Sequence, residues 1–523
     1  MKKKGLIVAI FFGTIMLTSL SAGVLLNNQP MIQDEEITKT GTPADNFPDS
    51  QRAQFCGSST AKSTKFIKEY SIPTVCTNPL AVVADYSGNV WFAETNTGKL
   101  GKFDPITESF TEFENPLWPQ NGRSMIWGMD YSPDGSVWYT DESYDSIWKF
   151  TPDNQKYQRI DFPSDGDSLP QKLKILGSQV VINDFNGNKL TFLDPTLSDE
   201  ELSYLNIPSP VDGSVTGDFA IDEDNNVWYT NWIFQQGGVL VKFDQDAYRT
   251  SIATANANSL PALDFIQVFQ LPTDLLTPNG LAVSDGLIWI ADTSNSAIFT
   301  FNPDTNQFIS YPTSDPKLST YGNSTGVIKS PISRPYWIES NSVGQLVFNE
   351  QTANSIAVLD PKTDSLVEYL VPSKNPAWGD CDLNFNCGLA QVFDFAIYKD
   401  KIWFTEWVEN KIGVVDTSVP LPFDVTLDTQ NISLLPGESK NISLTITPQS
   451  TVDENVSLIL SDYVTFLDAT SDKSVPFQLD SSITGDVKIS ASDEAAPGTY
   501  KVLVGAQIED VSISKFVTVT ILP

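Results

Sequence analysis

Short stretches in which apolar and polar residues alternate run along most of the chain, broken every few residues by Gly, Asn, Asp or Pro. A period of two puts alternate side chains on opposite faces of an extended strand, so the pattern predicts β-strands joined by tight turns. Helical periodicity is almost absent. One phrase recurs: a short apolar strand, a strand reading Trp-aromatic-x-acid, a strand ending near Phe-Asp-Pro, and a strand with aromatics and a Pro. The clearest copy is LAVVADYSGNVWFAETNTGKLGKFDPITESFTEF, residues 80–113. Others carry VWYTDES with IWKFTPD, VVINDFNGNKLTFLDP, NVWYTNW with LVKFD, GLAVSDGLIWIADTSNSAIFTFNPDTNQFISYP, QLVFNEQTANSIAVLDPKTDSLVEYLVP and FAIYKDKIWFTEWVENKIGVVD.

Aligned on their second strands, the copies place Trp91, Trp138, Val181, Trp228, Trp289, Val347 and Trp403 at one position, 43 to 61 residues apart. Four strands per copy at this spacing predict a seven-bladed β-propeller over residues 61–418. The seventh copy stops near Asp416 without a fourth strand. KFIKEYSIP (65–73), ahead of the first copy, resembles the fourth-strand phrases and is expected to close the ring, protecting an otherwise open edge. Residues 421–523 change to seven or so short alternating strands, which predicts an immunoglobulin-like β-sandwich. The fold class is therefore all-β, a seven-bladed β-propeller plus a C-terminal β-sandwich (Ig-like).

The remaining segments set the compartment. Lys2, Lys3 and Lys4 precede an uncharged run from Gly5 to Leu26, with small residues at Ser21-Ala22-Gly23. Residues 1–26 are expected to be a cleaved signal peptide or an N-terminal membrane anchor, and 27–60 a polar linker. Either way the rest of the chain is placed outside the cytoplasm, and the membrane is met only through that segment. Four cysteines, Cys56, Cys76, Cys381 and Cys387, fit two disulfides in such a compartment. Three connectivities exist, and the local pairs Cys56–Cys76 and Cys381–Cys387 are favoured. Glycosylation sequons stand at Asn323, Asn431, Asn441 and Asn455. The formal charge of −33 repels phosphate backbones, so nucleic acid is not an expected partner. No triad, Walker loop or dinucleotide fingerprint is present.

DGSVWYTDES, GNVWFAETNTGKLGKFDP and IWFTEWVENKIGVVD resemble the repeats of the streptogramin (virginiamycin B) lyases. The resemblance covers residues 64–417 and implies a seven-bladed propeller, related in shape to the SMP-30/gluconolactonase group. Those lyases open a cyclic depsipeptide by elimination, with a histidine base and a magnesium ion held by acids. This chain has no histidine. The position matching the catalytic histidine falls near Phe393-Asp394, where Asp394 serves as a base only if burial raises its pKa.

The acids of the recurring phrase align as Glu94, Asp141, Asp184, Asn231, Asp292, Glu350 and Glu406. They are expected either to cap turns within their own blades or to ring the tunnel mouth as hard oxygen ligands for Ca²⁺ or Mg²⁺. Glu406 and Asp394 are the candidate catalytic residues. Glu406, Asp394, Asp292, Asp218 and Asn279 are the candidate metal ligands, the last two because the gluconolactonase-like group holds its metal with such inner-strand residues. Trp127, Trp232, Tyr336, Trp337 and Trp407 either line a binding face or cover blade junctions, and Arg123 and Arg334 either meet an anionic ligand or pair with the acids. The expectation is an exported cell-surface propeller that binds a small molecule, glycan or protein ligand at its face. The alternative is a divalent-metal-dependent lyase or lactone hydrolase acting at the propeller mouth.

Overall fold

A computed structural model describes residues 56–57, 60–119, 122–162, 168–177, 179–194, 203–233, 236–255, 260–317, 320, 332–378, 381, 387–473 and 476–523. The N-terminal apolar run, most of the linker and Asn323 lie outside the described residues. Among the described residues no helix is long and apolar enough to cross a membrane.

Each repeat folds as a four-stranded antiparallel unit. Unit one consists of Pro79–Ala84, Val90–Glu94, Lys99–Asp104 and Ser109–Phe113. Units two to six span 129–161, 170–208, 215–270, 278–312 and 335–370. Unit seven has Val392–Tyr398, Lys401–Glu406 and Lys411–Asp416, and its fourth strand is Ile67–Ser71, with Ile67 opposite Val415. The segment foreseen as the closing strand thus joins both ends of the repeat array. First strands of successive units pack around a common axis, and that of unit seven returns to that of unit one. Unit four differs by carrying a helix, Gln245–Ala255, between its third and fourth strands. Its Tyr248 packs on Phe243 and Phe265, so one buried aromatic holds a helix that has little periodicity of its own.

The repeated residues have local physical roles. Asp85 and Asp222 sit in the turn before the second strand, accept the amides of that turn, and take the indole N–H of Trp91 and Trp228 at 3.2 and 2.8 Å. Each indole is therefore buried with its polar atom satisfied. Gly101 and Gly413 lie under the rings of Phe92 and Phe404, where a Cβ would collide with the ring.

The position before the acid ties neighbouring units. Thr140, Thr230 and Thr405 donate through Oγ1 to Gln171, Pro278 and Leu80 carbonyls in the next unit, at 2.9, 2.7 and 2.6 Å. Asn183 and Asn349 do the same through Nδ2 to Thr216 and Val392. All five are buried, so each bond satisfies a carbonyl that water cannot reach.

Residues 423–521 form two sheets. One holds Phe423–Leu427, Ser439–Pro448, Ile483–Ala491 and Leu467–Ser471; the other holds Val511–Ile521, Gly498–Gln507 and Ser457–Asp462, with Asn431–Leu434 parallel to Val511–Ile521. Their inward rows, including Val425, Leu444 and Val487 against Val502, Val504 and Val517, share one core. Val511–Ile521 also pairs with Ser365–Leu370, the outer strand of unit six, so a single eight-stranded sheet runs from repeat unit into C-terminal region. The seam is reinforced by Lys501–Asp364 at 2.8 Å and by Tyr311 edge-on to Phe516. The C-terminal region is thus joined edge to edge onto the repeats.

Candidate functional site

The acids at the second-strand ends stay within their own units. Glu94 accepts from Thr97, Asp141 from Trp148, Asp184 from the Leu169 and Gly187 amides, and Glu350 from Ser355. Asp292 takes the amides of Leu276, Thr277 and Ser294, and Asn231 donates to Thr216. Glu406 is fully buried beside Lys411, whose Nζ lies 4.0 Å from it, 3.3 Å from Glu69 and 3.1 Å from Glu409. Burial, reinforced by Glu69, pushes the Glu406 carboxyl well above its usual range. Turn capping accounts for the acid at Glu94, Asp141, Asp184, Asp292 and Glu350, whereas neither Glu406 oxygen has a hydrogen-bond partner among the described residues.

Aromatics close the end of the axis where the first strands begin. Trp127, Tyr336 and Phe393 meet at centroid separations of 5.9 to 6.4 Å, and Trp407 continues the cluster at 5.3 Å from Phe393. All four are buried. Asn279 is buried at this end, and neither its side-chain amide nor the Tyr336 hydroxyl has a hydrogen-bond partner among the described residues, while Trp127 donates to Glu142 at 2.7 Å. Phe393 is part of this lid, at the point that the lyase resemblance equates with a histidine. Trp232 is buried against Phe185, Trp337 is buried against Tyr336, and Arg334 donates to the Thr293 carbonyl. Arg123 is half-buried beside Tyr144.

Beyond the lid the axis is charged. Strand pairing sets one level opposite the Trp of each second strand, or the Val that replaces it: Val83, Asp130, Lys174, Ala220, Ala282, Glu339 and Ala396. Two residues nearer the strand start stand Ala81, Gly128, Lys172, Asp218, Gly280, Trp337 and Asp394. Small residues in half of these positions leave room, and the long side chains fill it. Lys174 Nζ lies 2.6 Å from Glu339 Oε1, an ion pair that crosses the axis from unit three to unit six. Lys172 Nζ lies 3.6 Å from both Asp218 Oδ2 and Glu339 Oε1, and 4.5 Å above the Trp337 ring. Asp130, Asp218 and Asp394 each use one oxygen to accept an amide of the following unit, from Ile175, Leu281 and Val82.

The cluster sets its own protonation. Burial opposes ionisation of Glu339, but Lys174 and Lys172 overcome it and hold its pKa at about 2. Burial would lower the Lys174 ammonium, and Glu339 and Asp130 outweigh it and raise it. Burial raises Asp218 and Asp130, and takes Asp394 to about 7 against the pull of Lys172.

Two cavities flank the Lys174–Glu339 pair. One of about 240 Å³ is walled by Lys172, Asp218 and Ile338; the other, of about 170 Å³, by Trp127, Asp130 and Asp394. The larger shares Ile221, Val283 and Ser340 with a groove of about 880 Å³ that carries Asp222, Glu223, Asp224, Asp285, Asp304, Lys242 and Lys362. The channel therefore opens at the ends of the first strands, opposite the lid.

Of the sequence candidates, the structure brings Asp218 and Asp394 to the channel, puts Asn279 at the lid, and leaves Asp292 and Glu406 inside their units. Among the described residues no three acids or cysteines are grouped so that they could hold a metal ion. Cys56–Cys76 and Cys381–Cys387 are disulfide-bonded. Asn431, Asn441 and Asn455 are exposed. Sequence reading missed Lys172, Lys174, Glu339 and Asp130. Their signal was a charge placed inside an apolar first strand, as in QKLK, WIES and MDY.

Comparisons with known proteins agree with this fold. A family model for the NHL repeat matches residues 275–301, the first three strands of unit five. A streptogramin B lyase structure is 18% identical, covers 67% of this chain and 96% of its own, and has a TM-score of 0.50. The virginiamycin B lyase from Staphylococcus aureus matches at 18% identity over 67% of this chain and 98% of its own, TM-score 0.50. At such identity the likeness is one of fold. No curated protein matches the sequence.

Proposed function

We propose that the protein is an exported ligand-binding propeller of seven blades with a C-terminal immunoglobulin-like sandwich. Its ligand is a small molecule held in the axial channel at the end opposite the aromatic lid. The carrying observation is the cluster of Lys172, Lys174, Asp218 and Glu339 drawn together inside a solvent-connected channel. Charges gathered in a cleft are costly to the fold and mark binding sites. The paired cysteines support export, since such bonds persist in oxidising compartments. Elimination by a histidine base has no counterpart, because the chain has no histidine and Phe393 fills the corresponding end.

A thermal-shift screen of small metabolites on the full chain and on Ala220→Trp, which fills the larger cavity, tests this. Compounds that raise the Tm of the parent should leave Ala220→Trp unmoved, provided the variant keeps its far-ultraviolet spectrum. Equal shifts in both proteins would overturn the channel site.

Asp394 supports a second reading. A carboxyl with a pKa of about 7 beside a cavity is suited to general-base catalysis near neutral pH. Turnover of lactone or ester substrates would then rise through an inflection near pH 7 and vanish in Asp394→Asn. A profile without that inflection excludes it.

A further inference from the structure

We infer that the channel ligand is a small zwitterion, with an anionic and a cationic group a few bonds apart as in an amino acid. This rests on the channel reading above and adds the ligand's chemical class.

The argument starts from the bar across the channel. Lys174 and Glu339 come from units that are not neighbours, and their ion pair at 2.6 Å separates the two cavities, both of which they line. Each cavity alone is below the roughly 300 Å³ at which small-molecule pockets begin. A ligand that reaches past the bar therefore parts it and occupies both cavities. A neutral ligand that does so replaces neither partner of the 2.6 Å pair and a singly charged one replaces only one, leaving Glu339 to the more distant Lys172 or Lys174 to Asp130, beside Lys172 and Asp218, which are already buried. A zwitterion exchanges partners instead: its carboxylate takes Lys174 and its ammonium takes Glu339.

Lys172 points the same way. Its two carboxylate neighbours stand at 3.6 Å, beyond the 2.7–3.2 Å of an N–H···O hydrogen bond. A ligand carboxylate between Lys172 and Lys174 accepts from both ammonium groups as charge-assisted bonds. The cationic end then lies toward Glu339 and Asp218 along the larger cavity. No covalent step is involved.

A matched probe series tests the class on the full chain by titration calorimetry. The probes are 5-aminopentanoate, pentanoate and pentylammonium, which share a carbon skeleton and differ in charge. The expected result is that 5-aminopentanoate binds at least tenfold more tightly than either singly charged probe. Lys174→Met and Glu339→Gln should each weaken it tenfold or more while leaving the weak binding of the singly charged probes little changed. Pentanoate or pentylammonium binding as tightly as the zwitterion, yet lost in both variants, overturns the class and leaves the channel site standing. Tight binding untouched by either variant overturns class and site together. Absence of binding by all three refutes the class, and the Ala220→Trp screen decides the site separately. The comparison among probes needs only the parent protein, so it holds even if a variant fails to fold.

Discussion

Glu94→Gln tests whether the recurring acids serve the turns or a bound cation. Glu94 is fully buried; its Oε2 accepts from Thr97 at 2.8 Å and its Oε1 has no hydrogen-bond partner among the described residues. Burial is the main force on it and lifts its pKa from 4.5 to about 8, with Glu112 adding to the rise and Lys99 opposing it. Between those values the native chain holds a proton that the unfolded chain has released. Stability therefore falls as pH rises from about 4.5 to about 8 and is level above that. At about 1.36 kcal/mol per pKa unit the loss attributable to this one group is on the order of 5 kcal/mol. Gln has nearly the same shape and is neutral throughout, so the variant lacks this component. Urea unfolding followed by tryptophan fluorescence at pH 4.5, 6 and 8.5 measures it. The two proteins should lie within about 1 kcal/mol at pH 4.5, and the variant should gain several kcal/mol on the parent by pH 8.5. Parallel pH curves would refute the burial argument. A variant that is the weaker protein at pH 8.5 would mean that the ionised carboxylate is wanted there, as it would be for a cation ligand.

Three further outcomes follow from the packing. Thr405→Val keeps the shape but strands the Leu80 carbonyl, and should lower stability by about 1–3 kcal/mol in chemical denaturation. Gly413→Ala drives a methyl into the Phe404 ring and should cost about 1–3 kcal/mol, relieved in part by adding Phe404→Leu, as a double-mutant cycle would register. Ser514→Pro removes an amide that faces Leu366 across the seam, on the same side as the Phe516 amide that reaches Asp364, and should split one calorimetric transition into two as the C-terminal region and the repeats come apart; a single transition would mean that the shared sheet does not couple them.

Much of the fold was legible because its signals are local. Alternation and turn residues mark the strands, and the Trp phrase carries its own turn chemistry in units one and four, where Asp85 and Asp222 accept the indole N–H of Trp91 and Trp228. The closing strand was legible because KFIKEYSIP carries the same outer-strand pattern as its counterparts. The helix at Gln245–Ala255 was not, since a single buried Tyr248 leaves no periodic stripe. The channel was half legible. Asp218 and Asp394 stood out as acids at strand starts, whereas Lys172, Lys174 and Glu339 looked like ordinary solvent-facing residues of alternating strands.

Sequence by itself determined the four-stranded units, their number of copies and the local capping role open to each acid, because those depend on residues a few positions apart. Tertiary structure alone decided which side chains share the axis. Lys174 and Glu339 are separated by 164 intervening residues, and only ring closure brings their strands to opposite sides of one channel. It also decided that aromatics fill one end of that channel, and that Val511–Ile521 caps the open edge of Ser365–Leu370. Neither is written in local pattern, because an unpaired strand edge and an empty axis accept any complementary surface, and which surface arrives is set by the packing of the whole chain.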